Sequence, residues 1–193
     1  MMSTALLLID IQNDFCPGGS LAVPEGDSII PPLNRVIASL HAQGVPILAS
    51  RDWHPIRTTH FQAWGGVWPP HCVQNTPGAA FRAGLALPPD AVVFSKGMAE
   101  NADSYSAFEA TDAAGEALTP WLKAHGIQHL VVAGLATDYC VKSSVLDARR
   151  EGFSVQVLQD AVRGVELHPG DTEKALAAMS AAGAQLIDSR QIN

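Results

Sequence analysis

The chain has 193 residues, and with about 150 residues per domain as the usual size, a single domain spanning 1–193 is expected. Hydrophobic residues at 47% and charged residues at 16% exclude a chain that stays unfolded. Twelve Lys and Arg against nineteen Asp and Glu give a net charge of -7, and no basic stretch exceeds the pair Arg149-Arg150. That balance speaks against nucleic acid as a partner and for a small molecule.

The opening residues Met-Met-Ser-Thr-Ala-Leu-Leu-Leu-Ile-Asp carry no basic segment, and their apolar run is too short for a membrane span and ends on a carboxylate at Asp10. It reads as a strand and not as a signal, so the expected compartment is the cytoplasm and no membrane partner is expected. Three cysteines, Cys16, Cys72 and Cys140, cannot all pair, and each is read as a free thiol.

Short apolar, β-branched runs at 5–9, 45–49, 91–95, 129–133, 154–158 and 184–187 predict six strands buried on both faces. Between the first two, Ile29, Ile30, Leu33, Val36, Ile37 and Leu40 recur at three- and four-residue spacing before Gly44, a candidate C-cap. Further helices fit 115–125, 138–151 and 171–182. The alternation predicts an α/β fold, a mainly parallel six-stranded sheet with helices on both faces. From 52 to 90 no clean period appears, although Trp53, Trp64 and Trp68 are concentrated there. A connection that long with three tryptophans predicts an ordered, pocket-forming loop.

Ligands of such sheets lie beyond the carboxyl ends of the strands, where this chain places Asp10, Asp52 with His54, Lys96, and the segment Gly134-Leu135-Ala136-Thr137-Asp138-Tyr139-Cys140. Cys140 falls where a helix should begin, with Thr137 or Asp138 as N-cap. Orphan amides and the helix dipole there can hold an oxyanion and lower a thiol pKa from ~8.5 to roughly 3.5–7.5. A buried small hydrophobe is the competing reading of that cysteine. Asp10 and Lys96, read as ending neighbouring strands, form either a structural ion pair or the base and cation of an activated thiol. Asp52 and His54, two apart on extended backbone, share a side. With His60 and His71 they offer a carboxylate and imidazole set suited to zinc, iron or manganese, or else are ordinary loop histidines.

The segments Ile9-Asp10-Ile11-Gln12-Asn13-Asp14-Phe15, Asp52-Trp53-His54-Pro55, Trp68-Pro69-Pro70-His71-Cys72-Val73, Lys96-Gly97 and Gly134-Leu135-Ala136-Thr137-Asp138-Tyr139-Cys140-Val141 together resemble the nicotinamidase group of the isochorismatase-like hydrolases. The resemblance covers nearly the whole chain in order. It implies the isochorismatase-like hydrolase fold and a catalytic triad carried onto Cys140, Asp10 and Lys96. It implies one divalent transition metal on Asp52, His54 and His71, with His60 as a further ligand. An oxyanion hole from the Ala136 and Cys140 amides, and a cis peptide before Ala136, are implied as well. Phe15, Trp68 and Tyr105 match the aromatic walls that clamp a pyridine ring, whereas Cys16 and Cys72 are bystanders.

The activity so implied is hydrolysis of nicotinamide to nicotinate and ammonia through a cysteine thioester, with pyrazinamide also accepted. The protein is then expected to act as a monomer or a small homo-oligomer. Alternatives are an N-carbamoyl amidase or a vinyl-ether hydrolase of the isochorismatase type, a mononuclear iron oxygenase using two histidines and a carboxylate, and a non-catalytic pyridine-binding protein.

Overall fold

The computed structural model describes residues 3–192; Met1, Met2 and Asn193, which the expected domain 1–193 includes, lie outside the described residues. Six parallel strands form one sheet in the order β3-β2-β1-β4-β5-β6. They are β1 (Ser3–Ile9), β2 (Ile47–Asp52), β3 (Val92–Lys96), β4 (Ile127–Leu135), β5 (Ser154–Arg163) and β6 (Gln185–Ile187). Helices α1 (Ile30–Ala42), α2 (Leu118–Ala124), α3 (Lys142–Arg150) and α4 (Asp171–Ala181) connect them. The mainly parallel sheet expected from the sequence is wholly parallel.

Continuous hydrophobicity along the central strands follows from burial on both sides. Ala5, Leu7 and Ile9 of β1 join Leu130 and Val132 of β4 in one apolar cluster, with Leu118 of α2, Val145 of α3 and Met179 of α4. Leu6 and Leu8 point the other way, with Val131 and Ala133, against Leu33, Val36 and Ile37 of α1. Alternation along an extended chain therefore feeds two cores from one strand. Helix α1 starts on Pro31-Pro32 at its first turn and ends where Gly44, at φ +74°, lets the Gly44 N–H reach His41 O (2.9 Å) and the Val45 N–H reach Leu40 O (3.0 Å).

Two differences from the sequence reading have simple causes. Strand β2 starts two residues later than the apolar run and ends three later, taking in Ser50, Arg51 and Asp52, because β3 supplies ladder partners, Phe94, Ser95 and Lys96, for them. The helix expected at 115–125 is only Leu118–Ala124; the residues before it make turn contacts around Asp112, whose carboxylate accepts from the Ala114 and Glu116 amides. Among the described residues no helix is long and apolar enough to cross a membrane.

The sheet order reverses direction between β1 and β4, so chain segments leaving those two strands diverge and open a crevice above their carboxyl ends. Asp10 leaves β1 at that edge, and Cys140 follows β4. The 52–90 stretch covers it with two short 3-10 turns, Gln62–Trp64 and Pro77–Ala79, and isolated bridges pairing His54 with Val73 and Phe61 with Trp68.

Candidate active site

Backbone geometry explains how residues from four strands meet. Asp10 adopts φ +47°, a left-handed conformation that Asp tolerates better than most residues, and the chain turns out of the sheet there. Its amide still bonds Ser50 O (3.2 Å), and its Oδ1 accepts from Ser50 Oγ (2.7 Å). The turn deprives the end of β2 of a strand partner. The buried Gln12 side chain replaces it, with Oε1 accepting from the Asp52 N–H (2.8 Å) and Nε2 donating to Asp52 O (2.8 Å) and Ala79 O (2.9 Å).

Asp52 and Lys96 stand opposite one another at the ends of β2 and β3. Lys96 Nζ lies 2.9 Å from Asp10 Oδ2, forms a second ion pair with Asp52 Oδ1, and approaches Cys140 Sγ to 3.6 Å. All four side chains are buried. Asp10 and Lys96 do not end neighbouring strands, as the sequence had suggested. Strand β2 lies between β1 and β3, and that order puts Asp52 within reach of the same ammonium.

Charge balance in this enclosure follows from burial and two carboxylates around one cation. Burial alone would pull the Lys96 ammonium down, but Asp10 and Asp52 outweigh it and hold its pKa well above the ordinary lysine value. Burial acts upward on Asp52, yet Lys96, then the His54 and His71 contacts, keep it well below the usual carboxylate range. Asp10 is raised, because burial exceeds the pull of Lys96. Cys140 is pushed well above an ordinary thiol: burial raises it, Lys96 opposes, and Asp10 and Asp52 add to the rise. The lowered thiol pKa suggested by its place in the chain is thus corrected. The sulfur holds its proton more tightly than an ordinary thiol does, with carboxylate oxygens of Asp10 and Asp52 within 4.8 Å of it.

The turn bearing Cys140 is a π-helical turn, Thr137–Val141, running directly into α3. Its N-cap is Ala136, at φ -96° and ψ 146° with no side-chain cap, so neither Thr137 nor Asp138 caps it. The Asp138 carboxylate instead accepts from the Val165 (2.9 Å) and Glu166 (2.8 Å) amides, and Thr137 Oγ1 is buried without a partner among the described residues. The Leu135–Ala136 peptide is cis, as the resemblance implied.

On the other side of Asp52 three buried imidazoles converge. His54, His60 and His71 each offer a ring nitrogen within 4.8 Å of the others. Every Nδ1 is already engaged: His54 with Gly97 O (3.0 Å), His71 with Pro69 O (2.8 Å) and His60 with Asp103 Oδ1. Each Nε2 is thereby left to face the shared space, and that of His54 is a buried nitrogen with no hydrogen-bond partner among the described residues. Asp52 Oδ2 stands 3.6 Å from His54 Nε2 and 3.8 Å from His71 Nε2, too far for hydrogen bonds. Donors at about 2.0–2.2 Å from a common ion would be spaced this way. Orphaned donors and oriented far nitrogens fit a divalent metal on Asp52, His54, His71 and His60. Gly97, at φ +64°, is required here because a Cβ would stand 2.6 Å from His54 Nδ1.

Between the thiol and the imidazoles opens a cleft. Phe15, Trp68 and Tyr105, the three expected aromatic walls, all line it, together with Cys140, Ala136, His60 and His71. Leu21, Ser104, Tyr139 and Val165 also line it and are not singled out by the sequence; Tyr139 packs edge-on to Trp68, with centroids 5.1 Å apart. Asp10 and Lys96 lie behind the sulfur and not on the cleft wall. Of the three tryptophans in the long loop only Trp68 lines the cleft. Trp53 stacks under the Arg51 guanidinium (3.7 Å), and Trp64 is half exposed. Cys16 and Cys72 are buried free thiols; burial pushes Cys16 up to about 11 and Cys72 well above the ordinary value. They take no part in either cluster.

The chain belongs to the isochorismatase family, whose Isochorismatase domain matches residues 4–191. It is 46% identical to the nicotinamidase of Escherichia coli strain K12 over 96% of this chain and 95% of that protein. The nicotinamidase/pyrazinamidase of Mycobacterium tuberculosis is 38% identical over 96% of this chain and 98% of its own length. The crystal structure of the Pyrococcus horikoshii pyrazinamidase in complex with zinc superposes with a TM-score of 0.89 at 44% identity, covering 96% of this chain and 99% of that one.

Proposed function

We propose that the protein is an amidohydrolase that converts nicotinamide to nicotinate and ammonia and also deamidates pyrazinamide, with Cys140 as nucleophile, Asp10 as acid–base and Lys96 as supporting cation. The observation that carries this reading is the placement of Lys96 Nζ between Asp10 Oδ2 (2.9 Å) and Cys140 Sγ (3.6 Å), behind an aromatic cleft. The near full-length likeness to the E. coli nicotinamidase supports it.

The ring lies between Phe15, Trp68 and Tyr105, with its carboxamide toward Cys140. Asp10 accepts the thiol proton as sulfur attacks the carboxamide carbon, and Lys96 balances the negative charge that would otherwise build between two carboxylates. The oxyanion is met by the Ala136 and Cys140 amides; one donor of this kind is worth about 2.7–4 kcal/mol in the transition state. Asp10 returns the proton to the departing nitrogen, ammonia leaves, and a thioester on Cys140 remains. Water enters, gives a proton to Asp10 and attacks the acyl carbon; the C–S bond breaks, the sulfur regains its proton and nicotinate is released. Asp52, His54, His71 and His60 would hold one divalent transition metal, zinc or else iron or manganese, and a metal bound there would supply Lewis acidity toward the ring nitrogen.

A third histidine beside Asp52, and a thiol held against a carboxylate and an ammonium, favour this reading over a two-histidine oxygenase and over a vinyl-ether hydrolase, which needs neither. Ammonia release from nicotinamide, measured beside intact-mass analysis of acid-quenched protein, tests the proposal. A nicotinoyl adduct on Cys140 is expected, and turnover without any adduct, or undiminished turnover in Cys140→Ala, would overturn it.

A further inference from the structure

Each imidazole of the candidate metal centre is oriented through Nδ1, but the partners differ in kind. His54 and His71 lean on main-chain oxygens, Gly97 O and Pro69 O, which persist whatever side chain is present. His60 leans on the carboxylate of Asp103. That carboxylate is 58% exposed while the His60 ring is buried, so an acidic group in reach of solvent is turned inward onto one ring. A pair so open to water adds little to folding, and its use lies elsewhere.

The same two loops meet a second time, where the Thr59 N–H donates to Glu100 O (2.7 Å). Past Asp103 the chain is fastened tightly. Glu109 Oε2 accepts from Ser104 Oγ (2.7 Å) and from the Tyr105 (3.0 Å) and Ser106 (3.2 Å) amides, and Tyr105 OH accepts from Trp68 Nε1 (2.9 Å). Asp103 is therefore presented from an ordered segment that also carries a wall of the cleft.

We propose that Asp103 is a positioning residue of the metal centre. By accepting the Nδ1–H of His60 it fixes the tautomer whose Nε2 carries a lone pair for the space shared with His54 and His71, and it sets how tightly the metal is retained. This inference rests on the reading of His60 as a ligand. A carboxylate behind a ligating histidine strengthens the ring as a donor, and loss of such a partner typically weakens metal binding about 10–100-fold.

The test is zinc affinity, measured by competition with a chromogenic chelator, together with the absorption bands of the cobalt-substituted protein. Asp103→Ala should raise the zinc dissociation constant about 10–100-fold and shift the cobalt bands, with Asp103→Asn, which keeps a neutral acceptor, in between. Glu100→Ala, on the same segment but contributing only its carbonyl, should bind zinc as the parent does. Parental affinity in Asp103→Ala, with weakened binding in His60→Ala, would overturn the role of Asp103 and leave the metal site standing. Parental affinity in both variants would overturn the ligand assignment of His60 as well.

Discussion

Lys96 meets Cys140 from across the sheet: Nζ and Sγ are 3.6 Å apart although β2 and β1 separate the strands from which the two residues extend. The encounter takes place above the carboxyl edge, directly over Asp10. Three strand ends must therefore be in register before the sulfur has a partner.

Replacing Lys96 with Met should abolish turnover and also weaken the fold, because it strands the Asp10 and Asp52 carboxylates in a buried enclosure. Removing one member of a buried ion pair typically costs about 3–5 kcal/mol. Without the ammonium the Asp10 carboxyl, already raised by burial, rises further above its unfolded value, so stability is greatest below the unfolded pKa and is lost as pH climbs through the folded one. Urea midpoints should accordingly show a larger deficit at about pH 8 than at about pH 5. A deficit that does not change with pH would count against this account.

The acid limb of the pH profile should belong to Asp10. Burial holds its carboxyl above the ordinary aspartate range, and once protonated it cannot accept the thiol proton. Activity in kcat/KM should therefore fall, on acidification, at a pH above that of an ordinary aspartate. Asp10→Asn should lose about 10²–10⁴-fold in kcat across the whole profile, as expected for a removed general base.

Substrates without a ring nitrogen should reveal the metal. Benzamide should show a kcat/KM about 10–100-fold below that of nicotinamide, the worth of one charge-assisted polar contact. Stripping the protein with a chelator should erase that preference by lowering the nicotinamide rate. Equal preference in the stripped and loaded forms would remove the proposed role.

Gly97→Ala should act on His54 without touching the triad. The φ of +64° costs an alanine about 1–2 kcal/mol, and the added methyl must displace the imidazole whose Nδ1 would stand 2.6 Å away. A lower Tm and faster zinc release are the expected outcomes, both measurable on purified protein.

Most of the framework was readable from the sequence because it depends on local pattern. Apolar runs marked the strands, and the polar residue closing each run marked the rim, so Asp10, Asp52, Lys96 and Cys140 could be named before any coordinates. What local pattern does not carry is strand order. Without it, the contact of Asp52 with Lys96 was invisible, as was the way Gln12 stands in for a missing strand partner. The proton on Cys140 escapes local pattern for a related reason: a turn at a strand end predicts stabilising amides, but burial and the number of carboxylates around the sulfur are properties of the assembled site. Asp103 carried no signal of its own, since an acidic residue in a polar stretch looks like any solvated one.

The divided allegiance of Asp52, one oxygen toward Lys96 and the other toward His54 and His71, constrains anyone redesigning this protein. Its two halves are not interchangeable modules. Exchanging the ion or grafting a new ligand set alters the electrostatic grip on the ammonium, and retuning the sulfur disturbs the coordination sphere. Engineering for a different amide should leave this carboxylate alone and vary the aromatic walls other than Phe15, whose ring packs against that of His71 (centroids 5.4 Å apart).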